Sequence, residues 1–172
     1  DLDIIKQITD AIEAVDGAKL LDVDPGADTN RTVVTFVAPP ETVGEAAFQA
    51  VKKAAELIDM SKHTGAHPRM GATDVCPFVP VAGVTMDDCA RIARETGSRI
   101  GGELGIPVYL YEHAASREEF SNLANAREGE YEGLKDRFVP GADPKWRPDF
   151  GPASFNASSG APAVGAREFL IA

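Results

Sequence analysis

The sequence predicts an α/β fold, a two-layer sandwich with a mixed β-sheet and helices mainly on one face. Segments with helical periodicity alternate along the chain with short β-type runs. The first two β-type runs are joined by a loop too short for a crossover helix, so we expect them to pair antiparallel. A sheet that holds both this pair and the later strands is then mixed.

The first half of the chain contains two predicted helices around two predicted strands. Isoleucines at helical spacing predict a helix over residues 3–15, which Gly17 ends. β-type runs follow at Lys19–Val23 and Thr32–Val37, separated by a loop of turn-forming residues. Another apolar stripe predicts a helix over Thr42–Ile58.

The middle of the chain begins with a long polar loop at residues 59–73. A strand is expected around Val75–Val81, where two prolines predict an edge or irregular position because proline lacks the ladder donor. Thr85 and Asp88 have the spacing of a capping box and predict a helix to about Leu104.

The last third is less regular. Ile106–Tyr111 is predicted to be a strand, residues 116–138 are weakly helical, and residues 139–161 lack periodicity. Glu168–Ile171 is predicted to be a final strand. This order of elements favours a ferredoxin-like arrangement of the sandwich.

Composition excludes several classes of function. A net charge of -10 argues against binding nucleic acid or an anionic membrane surface, although a few local arginines could still bind a small anion. No apolar run approaches the length of a membrane span. Two cysteines do not make a disulfide framework, so we expect reduced thiols and a cytoplasmic protein. Because residue 1 is Asp rather than Met, the numbering is expected to begin inside a processed or longer chain.

The loop at residues 59–73 concentrates groups that can carry chemistry. It holds His63 and His67, together with Lys62 and Arg69, and Asp74 follows it. A histidine can take and return a proton near neutral pH, and an arginine offers bidentate binding of a carboxylate. His67 is therefore a candidate catalyst, with a structural loop histidine as the alternative.

Two other chemistries are open at the same loop. His63 and His67 could form a zinc pair on a helix, but Gly65 and Pro68 disfavour a helix there and no obvious third ligand follows. Cys76 could be a nucleophile, but no signature of a cysteine-dependent family surrounds it, so a packed core thiol is favoured.

The run from Ile58 to Val81 resembles the signature segment of glutamate formiminotransferases, including the transferase part of formiminotransferase-cyclodeaminase. The resemblance is carried by Asp59-Met60-Ser61-Lys62-His63, His67-Pro68-Arg69-Met70-Gly71 and Asp74-Val75-Cys76-Pro77-Phe78. Further matches extend over almost the whole chain, among them Asp22-Val23-Asp24, Thr29-Asn30-Arg31, Pro107-Val108-Tyr109, Gly129-Glu130-Tyr131-Glu132 and Pro148-Asp149-Phe150-Gly151-Pro152.

This resemblance implies a folate-dependent one-carbon transferase. Members of the family move a formimino group from N-formimino-L-glutamate to N5 of tetrahydrofolate, without a metal. The histidine of the His-Pro-Arg motif, which is His67 here, is then the acid–base residue. One histidine can accept the proton of N5 and return it to the departing glutamate nitrogen.

The resemblance also implies a folate-contacting segment at the Phe-Gly-Pro turn. It comprises Gly151, Pro152, Ala153, Ser154, Phe155, Asn156, Ala157, Ser158, Ser159 and Gly160. Small residues let the backbone approach a flat pterin edge, and Phe155 could pack against a ring. The alternative for this segment is an ordinary flexible loop.

Four further residues are candidates for the site. Asp24 could orient His67 or the folate, or it could be a turn-forming residue before Pro-Gly. Arg31, His63 and Arg69 are candidates for binding the substrate, with bracing of the loop as the alternative for the two arginines.

The chain departs from the family pattern at both ends. No counterpart of the family's opening strand precedes Asp1, and the chain stops before the family's second subdomain. We therefore expect the N-terminal subdomain alone, with half of a folate site and a gap or exposed edge in the sheet. The family implies a homodimer, and the rival hypothesis is a non-catalytic folate-binding or subunit-interaction domain.

Overall fold

The computed structural model describes residues 1–170 and has an α/β fold with two small sheets. Its three long helices are α1 (Leu2–Glu13), α2 (Val43–Leu57) and α3 (Met86–Leu104). Two short helices, α4 (Leu123–Ala126) and α5 (Glu130–Gly133), lie between 3-10 turns. The strands are β1 (Lys19–Gly26), β2 (Arg31–Val37), β3 (Val75–Phe78), β4 (Tyr109–Glu112) and β5 (Ala163–Ala166).

The strands do not form the single mixed sheet that was predicted. β1 and β2 pair antiparallel, which confirms that part of the prediction, but they form a separate two-stranded sheet. β3, β5 and β4 form a parallel sheet in that order, so β3 is an edge strand as its prolines predicted. In the described part of the chain, no strand joins β2 to β3.

Two apolar clusters cover the two faces of the parallel sheet. The larger cluster packs α2 and α3 against one face, with Val108, Leu110 and Val164 fully or almost fully buried. The smaller cluster lies on the opposite face, where Tyr109 and Phe120 pack under the short helical segments. Of the long helices, α2 and α3 therefore lie on one face of the parallel sheet.

The capping box predicted for α3 is present. Thr85 accepts a hydrogen bond from the backbone of Asp88, whose carboxylate accepts one from the backbone of Thr85. The helix ends at Gly105 in a left-handed conformation. Among residues 1–170, no helix is both long and apolar enough to cross a membrane.

The prediction of a final strand at Glu168–Ile171 is wrong over its described part. The last strand is Ala163–Ala166, and residues 168–170 are irregular, while Ile171 lies outside the described residues. Phe169 and Leu170 carry the β-type signal but are 75% and 68% exposed, so nothing holds them in a sheet.

Candidate functional site

A long cleft of about 2290 Å³ runs between the two sheets. All residues of β2 and of β3 line it, and α1 and α2 contribute apolar side chains to its floor. Its polar part is lined by His63, His67, Arg31, Asp74 and Arg127. The loop that carries the predicted catalyst therefore borders an open cleft.

The turn between β1 and β2 holds the histidine loop in place. The side chain of Asn30 donates to the carbonyl of Thr64 at 2.7 Å, and Nε2 of His63 lies 3.0 Å from the carbonyl of Asn30. Gly65 approaches this turn so closely that an added Cβ would lie 2.5 Å from the carbonyl oxygen of Thr29. Only glycine permits this contact, which docks the loop on the first sheet.

His67 has both ring nitrogens engaged. Nδ1 lies 2.6 Å from the carbonyl oxygen of Pro68, so Nδ1 carries the proton and donates it there. Nε2 is then the acceptor, and Nη1 of Arg31 donates to it at 2.7 Å. Arg31 thus occupies the lone pair of Nε2, and both residues line the cleft.

Asp74 and Arg127 support the backbone next to His67. The carboxylate of Asp74 accepts from the backbone N–H of Met70 at 2.8 Å and from Nη1 of Arg127 at 2.6 Å. Arg127 also lies 3.4 Å from the carbonyl of Pro68, the same oxygen that binds His67. Burial raises the pKa of the Asp74 carboxyl, and the positive charge of Arg127 opposes that shift.

Arg69 is paired with acidic residues of its own chain. Its two terminal nitrogens donate to Glu132 at 2.9 and 2.8 Å, and Glu130 lies 3.6 Å away. Its Nε donates to Nδ1 of His63 at 3.4 Å. The Arg69 hydrogen bonds lower the pKa of Glu132. Arg69 therefore braces the loop, whereas Arg31 has no carboxylate partner among residues 1–170.

The segment at residues 151–160 is fixed beside the histidine loop by backbone hydrogen bonds. The carbonyl of Ser158 accepts from Met60 at 2.8 Å, and that of Ser159 accepts from Ala72 at 2.9 Å. These hydrogen bonds hold the segment against both ends of the histidine loop.

Contacts with Tyr131 also hold this segment in place. The hydroxyl of Tyr131 donates to the carbonyl of Ala157 at 2.6 Å, and its ring centroid lies 5.5 Å from that of Phe155. The guanidinium carbon of Arg69 lies 5.8 Å from the centroid of the Tyr131 ring. Phe155 itself stays 38% exposed, with ring surface free for a ligand.

The structure does not bring Asp24 to His67. Asp24 is exposed on β1 opposite Val33, and no hydrogen bond joins its carboxylate to either histidine of the loop. Residues 1–170 hold no group of three His, Cys, Asp or Glu side chains placed to bind a metal ion. Burial raises the pKa of the Cys76 thiol to about 12, which does not suit a nucleophile.

Three residues of the site were not singled out from the sequence. They are Asp74 and Arg127, which support the His67 backbone, and Tyr131, which contacts the 151–160 segment. A signal existed, because Asp74 lies in the Ile58–Val81 run, and Arg127 and Tyr131 belong to the shorter matching run Arg127-x-Gly129-Glu130-Tyr131-Glu132. Spacing alone could not place Arg127 next to Asp74, 53 positions earlier.

Comparisons with known proteins show the family to which the chain belongs. The family described as the formiminotransferase domain, N-terminal subdomain, matches residues 1–167. Formimidoyltransferase-cyclodeaminase of Dictyostelium discoideum is 52% identical over 172 residues, 100% of this chain and 32% of that protein.

Two shorter relatives are glutamate formimidoyltransferases. The Thermoplasma acidophilum protein is 49% identical over 100% of this chain, and the Streptococcus pyogenes serotype M1 protein is 44% identical over 98%. The chain spans 56% of each of these two relatives. With a family match over nearly its full length, the chain belongs to the formiminotransferase family and corresponds to the N-terminal subdomain of its transferase domain.

Proposed function

We propose that this chain, within a longer protein, transfers a formimino group from N-formimino-L-glutamate to N5 of tetrahydrofolate. The observation that carries the proposal is His67, held at the cleft with a protonated Nδ1 and an acceptor Nε2. Two relatives that match almost the whole chain are named glutamate formimidoyltransferase. The activity belongs to histidine degradation.

In the proposed reaction, N5 of the folate attacks the carbon of the substrate's amidinium group. A bond forms between N5 and that carbon, while the π electrons move to the terminal nitrogen. Nε2 of His67 takes the proton from N5 in the tetrahedral intermediate. The C–N bond to glutamate then breaks, and the imidazolium returns the proton to the departing nitrogen. The products are 5-formiminotetrahydrofolate and glutamate, and His67 is neutral again.

Arg31 must leave Nε2 before that nitrogen can accept a proton. A guanidinium binds a carboxylate more strongly than it binds a neutral imidazole. The guanidinium and the carboxylate carry opposite charges and can form two parallel hydrogen bonds. We propose that a carboxylate of N-formimino-L-glutamate takes Arg31 from His67. Substrate binding then frees the base at the moment when it is needed.

The 151–160 segment is the proposed folate wall. Support comes from its backbone hydrogen bonds to the histidine loop and from the exposed ring of Phe155. Stacking on an aromatic ring suits a flat pterin. Asp24 remains a candidate for orienting the folate, since its carboxylate is exposed and unpaired among the described residues.

Other proposals concern the whole protein. We propose that an extended strand fills the cleft between β2 and β3, since both line it and each has an unpaired edge. The two sheets would then form one mixed, ferredoxin-like sheet. A homodimer and a cytoplasmic location are expected from the family and from two free thiols.

The test compares two single variants in the full-length protein that carries this chain. His67→Ala should lower kcat by about 10²- to 10⁴-fold and leave the Kd for tetrahydrofolate nearly unchanged. Phe155→Ala should weaken folate binding by about tenfold through lost ring contact. Steady-state kinetics and calorimetry separate the two effects.

His113→Ala is the matched control, since His113 is exposed and its side chain makes no recorded hydrogen bond. A His67→Ala protein with normal turnover would contradict the catalytic role. If the unaltered protein binds folate but shows no transfer, the non-catalytic binding domain is the correct alternative.

A further inference from the structure

The cleft contains a second arginine without a carboxylate partner. Four arginines line the cleft, and within residues 1–170 Arg69 and Arg127 are paired with acidic side chains. Arg31 and Arg167 form no ion pair with an acidic side chain within these residues, although Arg167 donates to the backbone carbonyl of Glu168. Arg31 is accounted for by its contact with His67, and Arg167 has no role in the proposed reaction.

Arg167 lies where the three parallel strands end. It follows β5 directly, and its backbone N–H donates to the carbonyl of Phe78 at the end of β3. β4 ends beside it, because the backbone of His113 donates to Ala166. The carboxyl edge of a parallel sheet is where α/β proteins bind ligands.

A buried hydroxyl without a partner lies at the same edge. Tyr111 is 1% exposed, and its hydroxyl oxygen makes no hydrogen bond with any described residue. Its ring lies across Gly165 of the neighbouring strand, where an added Cβ would be 2.5 Å from Cδ1 of the ring. Buried polar groups nearly always have a partner. The nearby Arg167 guanidinium can donate but not accept, so the hydroxyl proton lacks an acceptor among the described residues.

The guanidinium of Arg167 lies close enough to Tyr111 to affect it. Burial raises the pKa of the Tyr111 hydroxyl well above its usual range, whereas the charge of Arg167 and a side-chain contact from it oppose this shift. The hydroxyl is therefore a hydrogen-bond donor throughout the neutral range. A donor hydroxyl next to an unpaired guanidinium suits a carboxylate ligand.

Backbone strain marks the same place. Glu112, next to Tyr111, has a φ of 52°, which is uncommon for a residue with a side chain. Glu112 also lines the cleft and forms no ion pair with Arg167 among the described residues. Its negative charge acts on the Tyr111 hydroxyl and would repel a carboxylate bound there.

We propose that Arg167 and the hydroxyl of Tyr111 form a second carboxylate-binding site, at the carboxyl edge of the parallel sheet. This inference rests on the proposed function, because both substrates of that reaction carry carboxylates. One source is N-formimino-L-glutamate, and the other is the glutamyl tail of the folate.

The proposed Arg167 site lies far from His67, the proposed catalytic base. Asp74, beside His67, directly precedes β3, whereas Arg167 follows the far end of the paired strand. A strand of this length rises by about 13 Å. Arg31 therefore lies at the His67 end of the cleft, and Arg167 lies at the opposite end.

The experiment measures binding by calorimetry with two probes, L-glutamate and p-aminobenzoyl-L-glutamate. The variants are Arg167→Met, Arg167→Lys and Tyr111→Phe in the 172-residue chain. Arg91→Met is the matched control, since Arg91 is exposed on α3 and pairs with Glu95 away from the cleft. Circular dichroism and urea unfolding check that every variant folds.

Arg167→Met should weaken binding of one probe by about tenfold or more, and Arg167→Lys by less. Tyr111→Phe should weaken the same probe several-fold and yet raise the unfolding midpoint, because it removes an unpaired buried hydroxyl. A purely structural tyrosine would not give this combination. Glu112→Gln should strengthen binding.

The affected probe identifies the source of the carboxylate. An effect on both probes or on L-glutamate alone assigns the site to the amino-acid substrate, and an effect on p-aminobenzoyl-L-glutamate alone assigns it to the folate tail. If the wild-type chain binds neither probe at millimolar concentration, or if Arg167→Met binds both as tightly as wild type, the inference is overturned. The catalytic role of His67 is tested by turnover, so either proposal can fail alone.

Discussion

His67 is defined by the partners of its two nitrogens. The carbonyl of Pro68 fixes the proton on Nδ1, and Arg31 occupies the lone pair of Nε2. A base whose lone pair is already hydrogen-bonded is poorly reactive until that donor leaves. We therefore expect Arg31 to control the reactivity of this proposed base.

The prediction at this scale concerns the reactivity of Nε2. Arg31→Met should make His67 react several-fold faster with diethylpyrocarbonate, because the reagent attacks an unprotonated ring nitrogen that Arg31 now covers. L-Glutamate should accelerate the same reaction in the wild-type chain by drawing Arg31 away. Mass spectrometry of the peptide that carries His67 measures the rate.

His63 is the internal control for this experiment. Its Nε2 binds the carbonyl of Asn30 and does not contact Arg31, so its rate should not change with Arg31→Met. Equal rates at His67 in the variant and the wild type would mean that Arg31 does not cover the base.

Sequence could name these residues but not their contacts. His67 and Arg31 were both candidates, but 36 positions separate them and their contact depends on how the β1–β2 turn docks on the histidine loop. Asp24 was a candidate for orienting His67 or the folate, whereas the side chain that contacts Nε2 of His67 in the structure is that of Arg31. A motif fixes residue types, whereas the direction of a long side chain depends on the tertiary structure.

At the scale of elements, the histidine loop is held from two sides. The β1–β2 turn binds it at Thr64, and Arg69 ties it to the acidic residues of α5. The loop contains little regular structure, so these contacts replace the hydrogen bonds of a helix or sheet.

The Arg69–Glu132 pair makes part of the stability depend on pH. Hydrogen bonds from Arg69 lower the pKa of Glu132 below its unfolded value, so its contribution is present above about pH 4.3 and is lost as the pH falls through the lower folded value. Glu132→Gln should lower the free energy of unfolding at pH 7. The difference from wild type should become smaller at pH 3, because protonation of Glu132 removes its attraction to Arg69.

Urea unfolding at both pH values measures this difference. Glu119→Gln is the control, since the Glu119 side chain is exposed and has no ion pair among the described residues. A difference between Glu132→Gln and wild type that persists unchanged at pH 3 would contradict the electrostatic origin of the effect.

Elements with a strong local signal were predicted well, and the central strand was not. The capping box at Thr85 and Asp88 gave the start of α3 correctly. β5 consists of Ala163, Val164, Gly165 and Ala166, of which only Val164 is of the β-branched or aromatic type typical of strands. It is a strand because β3 and β4 pair with it on both sides, and that information lies far away in the chain.

At the scale of the whole molecule, charge and shape favour different ligands. The net charge of -10 repels anions at long range, whereas Arg31 and Arg167 attract them inside the cleft. Attraction limited to a few ångströms selects an anion by shape after it has entered. A small dicarboxylate or a folate meets this requirement better than a polyanion does.

The two sheets leave unpaired edges at the cleft. Every residue of β2 and of β3 lines it, and in the described chain β2 pairs only with β1 and β3 only with β5. An apolar cleft between two free edges matches an extended strand, which would satisfy backbone groups on both sides. The relatives that match the chain are longer than it is and could supply such a segment.

Hydrogen exchange tests this arrangement. In the 172-residue chain, β2 amides that face away from β1 and β3 amides that face away from β5 should exchange quickly. In the full-length protein, the same amides should be protected by about 100-fold or more, because a strand between the sheets accepts their hydrogen bonds. Amides of β5 are the control, since two neighbouring strands should protect them in both proteins. Equally fast exchange of the edge amides in the longer protein would mean that the sheets stay separate and that the cleft is open along its whole length.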